Sequence, residues 1–287
     1  VPTYKKSVQI SELPSAEADN APPRYIAPAV EKGLDVLELL ARSTGAMAQR
    51  QIAESLGRSV PEVYRVLASL ERRGYILRGP DDAYRLTMKL HELAVAYPPV
   101  SRLADVAAPI LRQLATDTAQ AFHIAVQDGT EIHVVLQVDS PAPIGFRVRL
   151  GGRNAIAKAA SGRVLLAFQP VDTRDWVLAK LADPACGTEA WRQLLRRIEA
   201  VGAARYEYRA EESLRGVVDV SFPIVDASGV ALAALTMPFL SAHGQTVPLA
   251  LASEMAFEAA RKISAGLGGT LPVPTFPLAD PASLLPA

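Results

Sequence analysis

QRQIAESLGRSVPEVYRVLASLERRGYILRGPDDAYRL, running from Gln49 to Leu86, reads as a helix, a sharp turn, a second helix and a hairpin. Ile52, Ala53 and Leu56 fall on one side of a short helix over 49–56, and Gly57 supplies the backbone freedom of a tight turn. In Ser59-Val60-Pro61-Glu62 the Ser59 hydroxyl is placed to cap the next helix while Glu62 reaches back, and Pro61 lies in the first turn, where a missing N–H does no harm. That helix carries Val63, Val66, Leu67 and Leu70 on one face and ends near Gly74. At about 100° per residue, Pro61, Arg65, Ala68 and Arg72 fall opposite, with Tyr64 and Ser69 on the flanks. Residues 75–78 and 83–86 are strand-like and are joined by Gly79-Pro80-Asp81-Asp82, a turn-forming run. The order predicts a winged helix-turn-helix.

Such a helix presents its outward face to the major groove, so a small, polar and cationic face has a chemical meaning. The planar fork of Arg65 suits paired acceptors on guanine, and Arg78 and Arg85 of the wing suit phosphates. Glu62 repels phosphate but accepts from a cytosine amino group. The candidate DNA-facing set is Gln49, Arg50, Arg58, Ser59, Pro61, Glu62, Tyr64, Arg65, Ser69, Arg78 and Arg85. Formal net charge is zero, so this reading rests on local geometry and draws nothing from global electrostatics.

Outward from this stretch, Val30, Leu34, Leu37, Leu40 and Ala41 recur at helical spacing, and Ser43-Thr44-Gly45 ends that helix. Residues 1–25 are Pro/Ala-rich without periodicity and read as a flexible arm, a plain leader or a segment whose basic residues touch phosphates. The winged domain is assigned to 26–86 and a linker helix to 87–99, with Pro98-Pro99 halting it. From Val100 a long apolar-striped helix leads to strands at 121–127, 131–138 and 146–150. Helices at 159–168, 173–182 and 188–201, strands at 205–208, 216–225 and 230–239, and a last helix at 248–266 make 100–268 an α+β domain on an antiparallel sheet. The Pro-rich tail 269–287 is expected to be loosely ordered.

The 287 residues suffice for two domains, and about half are apolar, which excludes wholesale disorder. The lone Cys186 excludes an internal disulfide or a cysteine-based zinc site. No apolar run reaches a membrane span and no secretory signal is evident, so no membrane association and a cytoplasmic location are expected. His91, His123, His133 and His243 lack metal-ligand spacing; His123 and His133 either face each other on adjacent strands or are core and rim histidines. Ser161 lacks the glycine before a nucleophile elbow and has no evident acid–base partner, so no catalysis and no cofactor are expected.

Gln51-Ile-Ala-Glu-Ser-Leu-Gly57, Val63-Tyr-Arg-Val-Leu67 and Leu70-Glu-Arg-Arg-Gly-Tyr-Ile76 resemble the IclR-type bacterial transcription regulators. So do Phe122-His-Ile-Ala-Val126, Val138-Asp139-Ser140-Pro141, Ser161-Gly162-Arg163-Val-Leu-Leu-Ala167, and Gly216-Val217 leading to Phe222-Pro223-Ile224. The likeness covers about 27–267. It implies a winged-helix DNA-binding domain, a linker helix and a GAF-like domain that binds a small organic or aromatic acid. It also implies dimers, or dimers of dimers, on a palindromic double-stranded DNA operator, with RNA polymerase as a further partner.

Family effector positions fall on Ala160 and Ser161, whose backbone N–H groups at a helix start suit an anion. Others fall on Arg209, Asp219 and Thr236, with Phe146, Val148 and Phe222 as apolar walls. Arg209 stands where relatives often carry an acid, Asp219 where they often carry a cysteine, and Pro238 where a serine is common. Either Arg209 and Asp219 face one another across the pocket, with Arg209 holding a carboxylate, or they are an ion pair between two strands. Two other functions stay open: a constitutive oligomeric DNA-binding protein without an effector, and a small-molecule enzyme.

Overall fold

The computed structural model describes residues 27–95, 98–182, 187–210, 215–241 and 247–284. The arm 1–25, Tyr97, Cys186 and His243 lie outside the described residues. Contacts divide the chain between Ser101 and Arg102 into two compact units.

The N-terminal unit contains α1 (Pro28–Arg42), β1 (Met47–Ala48), α2 (Gln49–Ser55), α3 (Val60–Arg72), β2 (Ile76–Arg78), β3 (Ala83–Leu86) and α4 (Lys89–Val95). Val36 and Leu40 of α1, Ile52 and Ala53 of α2, and Val63 and Leu67 of α3 close on Ile76 and Tyr84 of the wing. The 3.6-residue stripe therefore sets the packing. The wing is a three-stranded antiparallel sheet of order β1-β3-β2; β1, only two residues long, is too short for any alternation to reveal.

The start of α3 differs from the expected capping box. Ser59 is the N-cap residue, but its side chain makes no capping bond; Glu62 meets the Ser59 backbone N–H and also pairs with Lys32 of α1 and with Arg58. The hydrogen bond from Lys32 is the largest cause holding the Glu62 carboxyl below its usual range, and the Ser59 backbone N–H adds to it. A reach-back of the same kind occurs at α2, where the Ala48 N–H donates to Gln51 Oε1 at 2.8 Å.

Pro98 and Pro99 open a helix as well as following one. α5 (Pro98–Thr118) begins at Pro98, since the first turn needs no proline N–H. The C-terminal unit continues with β4 (Phe122–Asp128), β5 (Glu131–Val138), β6 (Arg153–Ala155), α6 (Ala160–Ala167), α7 (Val171–Leu181), α8 (Glu189–Ala204), β7 (Glu207–Ala210), β8 (Val217–Val225), β9 (Ala231–Leu240) and α9 (Leu249–Gly266). Its sheet has the order β6-β5-β4-β9-β8-β7 and is antiparallel throughout. One face carries Phe122, Ile124, Val220, Phe222, Ile224, Leu235 and Met237 and is covered by α5 and α9. The other carries Ala125, Ile132, Ala231 and Ala234 under α6, α7 and α8.

Two expectations are overturned in this unit. Residues 146–150 form no strand. Gly152 donates to the Arg149 carbonyl at 2.8 Å, and this turn lies just before the edge pairing to β5, which starts with Gly151 and Gly152 on Val134 and continues through 153–155. The described part of the tail, through 284, is docked, not loose: Leu271 is in the core, Phe276 meets Phe257 edge-on at 5.9 Å, and the Tyr206 hydroxyl donates to the Ala279 carbonyl at 3.0 Å. Its proline composition hid the two apolar anchors Leu271 and Phe276 and lowers the entropic cost of ordering the segment.

Candidate nucleic-acid interface and effector face

Along α3, Pro61, Tyr64, Arg65, Ala68, Ser69 and Arg72 are exposed, opposite the buried Val63 and Leu67. Tyr64 is 55% exposed, a large ring left in solvent beside the arginines. Arg65, Arg72 and Arg73, and Arg85 on the wing, are exposed and in no ion pair among the described residues. Arg65 and Arg72 are two turns apart, about 10 Å along the axis, so they reach different base steps of a groove. The Ser69 hydroxyl donates to the Arg65 carbonyl at 3.0 Å, fixing the rotor within the helix.

Other members of the expected set are engaged elsewhere. Gln49 Nε2 donates to the Val60 carbonyl at 3.1 Å, tying the start of α2 to that of α3. Arg50 pairs with Glu54 at 2.9 Å on the surface of α2. Arg58 is half-buried, 2.6 Å from Asp35 of α1 and 3.6 Å from Glu62, so it and Glu62 brace α1 against the turn and do not present free groups. Arg78 lies 3.2 Å from Asp82 and stacks at 5.9 Å from the Tyr84 ring centre. The sequence gives the outward face of α3 correctly but does not reveal which cations already have carboxylate partners from other helices.

On the C-terminal sheet, register decides which side chains meet. Successive residues of β8 alternate, so Asp219, Ser221 and Pro223 share the α6 face while Val220, Phe222 and Ile224 enter the opposite core. Phe222 packs on Phe257 at 5.7 Å and does not wall a site shared with Asp219 and Thr236. This corrects the expectation, which ignored strand parity. Phe146 and Val148 lie half-buried in the segment between β5 and β6, outside the sheet.

Across the α6 face the register aligns Gln137, His123, Thr236, Ser221 and Glu207 on five adjacent strands. Beside that row runs another, Pro238, Asp219 and Arg209. Arg209 and Asp219 are thus direct cross-strand neighbours and do not face each other across a cavity; Asp219 is buried, Arg209 is exposed, and both have polar or electrostatic partners. Ser221 and Thr236 share a hydrogen bond of 2.9 Å.

Ala160 and Ser161 begin α6, which lies over β4, β5, β7, β8 and β9. Gly162 explains the local motif: a Cβ there would stand 1.9 Å from the Ile156 carbonyl oxygen, so only glycine lets the first turn of α6 press on the preceding chain. Arg163, next along, is buried and its Nε donates to Glu207 at 2.6 Å.

His123 and His133 do not face each other. His123 lies between Gln137 and Thr236, whereas His133 is opposite Val126 with its Nε2 3.4 Å from Asp128. His91 is exposed on α4. Sequence reasoning missed Ser221, Gln137 and Glu207; counting in twos from Asp219 would have found Ser221, but the others follow only from cross-strand register.

The described residues contain no group of three or more side chains suited to a metal ion and no helix long and apolar enough to cross a membrane. The family model described as bacterial transcriptional regulator IclR C-terminal matches residues 96–265, and the IclR helix-turn-helix domain matches 29–80. The chain is 28% identical over 228 residues to the HTH-type transcriptional regulator KdgR of Escherichia coli, covering 76% of this chain and 84% of that one. It is 28% identical over 221 residues to the p-hydroxybenzoate hydroxylase transcriptional activator of Acinetobacter baylyi, covering 74% and 80%. The crystal structure of the Thermotoga maritima IclR superposes with a TM-score of 0.65 at 26% identity, covering 83% of this chain and 98% of that one. An IclR homolog from Microbacterium hydrocarbonoxydans complexed with 4-hydroxybenzoate gives a TM-score of 0.66 at 24% identity over 83% and 98%.

Proposed function

The chain belongs to the IclR family of bacterial transcriptional regulators, a non-enzyme family with a DNA-binding helix-turn-helix, and from that premise we propose that α3 reads an operator while the C-terminal unit senses a small organic acid. The observation that carries the first half is the exposed face of α3, where Arg65 and Arg72 have no carboxylate partner among the described residues. Unpaired guanidinium groups on a helix braced from behind lose little on meeting a duplex, and each bidentate contact to guanine is worth about 1–3 kcal/mol of discrimination. Arg85 of the wing holds phosphate. The protein works as a dimer or dimer of dimers, on half-sites about 34 Å or a multiple apart, in the bacterial cytoplasm where the operator and RNA polymerase are.

The acid sits on the α6 face of the sheet. Its carboxylate meets the N–H groups of Ala160 and Ser161 and the guanidinium of Arg209, while Asp219 orients that guanidinium and Thr236 offers a hydroxyl. The acid shifts operator affinity only as far as it prefers one arrangement of the DNA-binding heads.

Arg85→Ala tests the wing. Fluorescence anisotropy should show weaker binding to every duplex by a similar factor, with the slope of log affinity against log salt reduced by about 1 per subunit. A change confined to one sequence would move Arg85 into the base-reading set, and no change would remove it from the interface.

A further inference from the structure

We propose that Val60, Tyr64 and Ala68 form an apolar strip on α3 that reads the C5-methyl group of thymine, so that the operator carries a thymine next to the base met by Arg65. The inference rests on the reading of α3 given above and names the base chemistry that the helix selects. Val60 is 44% exposed and Tyr64 is 55% exposed, and Ala68 is exposed as well. On an α-helix these three step round the axis by roughly 40° and rise about 6 Å at a time, which makes one continuous strip. Arg65 and Arg72 stand roughly 100° and 80° beyond Tyr64, so the outward face of α3 has an apolar edge and a cationic edge. The strip does nothing for the fold. Val60 and Tyr64 lie outside the core that holds Val63 and Leu67, and valine is a poorer helix former than alanine. Its leading end is nevertheless fixed in place. Gln49 Nε2 donates to the Val60 carbonyl at 3.1 Å, and Glu62 of the same turn pairs with Lys32 and Arg58. That first turn is the part of a recognition helix that meets base edges.

The chemistry of the strip selects its occupant. Of the groups that bases present in the major groove, the amino, carbonyl and ring-nitrogen groups are hydrogen-bond donors or acceptors, and thymine alone adds a methyl. Val60 and Ala68 carry no polar side-chain atom. Closing them on an amino or carbonyl group strips its water and returns no hydrogen bond, whereas closing them on a methyl buries apolar surface on both partners. The Tyr64 ring adds area, and its hydroxyl stays free to reach water or a phosphate. The strip thus discriminates twice, by attraction for thymine and by a desolvation penalty against the other bases. Arg65, on the cationic edge, reads an acceptor pair at the same time.

The test uses the full chain and a duplex that it enriches from random sequence, with each thymine replaced in turn by deoxyuridine, which removes only the methyl group. At one position or more, fluorescence anisotropy should show an affinity loss of about 4-fold per methyl, the worth of one buried carbon. In Val60→Ala and in Tyr64→Ala the same replacement should cost less than about 2-fold, while melting temperature and oligomeric mass stay at their wild-type values. Indifference to every replacement, or a methyl penalty that persists in both variants, overturns the strip; base reading by α3 still stands if Arg65→Ala lowers selectivity. A changed oligomeric mass in the two variants with the methyl penalty intact assigns the strip to a protein contact and likewise overturns it. Equal affinity of the wild type for the enriched duplex and an unselected one overturns both the strip and the reading of α3.

Discussion

Glu207→Ala should destabilise the C-terminal unit by roughly 3–5 kcal/mol, lowering its calorimetric melting temperature by on the order of 10 °C. Glu207 is fully buried and accepts from Arg163 Nε at 2.6 Å, from Arg197 Nε at 3.1 Å, and from the Tyr208 N–H at 2.9 Å. Arg197 also donates to the Tyr208 carbonyl at 2.8 Å and pairs with Asp280 of the tail. One carboxylate therefore holds α6, α8 and β7 together, and Arg197 adds the tail. Removing it leaves two buried guanidinium groups without their central anion, which costs far more than the net worth of the pair. Replacing Glu207, Arg163 and Arg197 together by apolar residues of similar volume should be much milder. A loss below about 1 kcal/mol for the single alanine would show that the cluster relaxes into water and does not anchor the unit.

Acidification should destabilise the same unit by about 2 kcal/mol between pH 7 and pH 5, approaching roughly 3 kcal/mol near pH 4. The cause is His123, whose pKa falls from 6.5 to about 4 because burial penalises the imidazolium. Between those values the unfolded chain binds a proton that the folded chain refuses. The contribution is therefore complete above 6.5 and is lost as pH falls toward 4. Gln137, Thr236 and Ser221 share its row, and the Asp219 carboxylate lies in the next. Carboxyls held low by partners, such as Glu189 by Arg196 and Asp226 by Ser228, act below about pH 4.5, so the window from 6.5 to 5 isolates the histidine. Urea unfolding at pH 7 and 5 checks this: His123→Leu should flatten the difference, and an unchanged difference would mean that the ring is protonated in the folded state.

What could be read before the fold was known follows from how locally each feature is determined. The stripe Val63, Val66, Leu67, Leu70 fixes one face of α3 whatever surrounds it, so the exposed position of Arg65 and Arg72 follows from spacing alone. The partnership of Arg58 with Asp35 joins residues 23 apart on different helices, and Glu62 is drawn to Lys32 in the same way. No local pattern encodes these. Pro98 and Pro99 are ambiguous because a proline suits both the end of one helix and the first turn of the next.

In the C-terminal unit the strand pattern and the helices that interrupt it were legible, while the face of each side chain depended on parity and register. One residue of error would have placed Phe222 beside Asp219, and the family-derived wall at Phe222 fails on that point. The tail misled for a compositional reason: its prolines suggest an undocked chain, yet Leu271, Phe276 and Asp280 each find a partner made by distant segments.

The central claim is that the outward face of α3 reads base edges, and one comparison tests it most directly. A duplex enriched by the wild-type protein from random sequence, and an unselected duplex of equal length, are titrated with wild type and with Arg65→Ala at one salt concentration. The account predicts that Arg65→Ala reduces the affinity ratio between the two duplexes by about 10- to 100-fold, while the oligomer and the salt-dependent binding to unselected DNA persist. An unchanged ratio would contradict it.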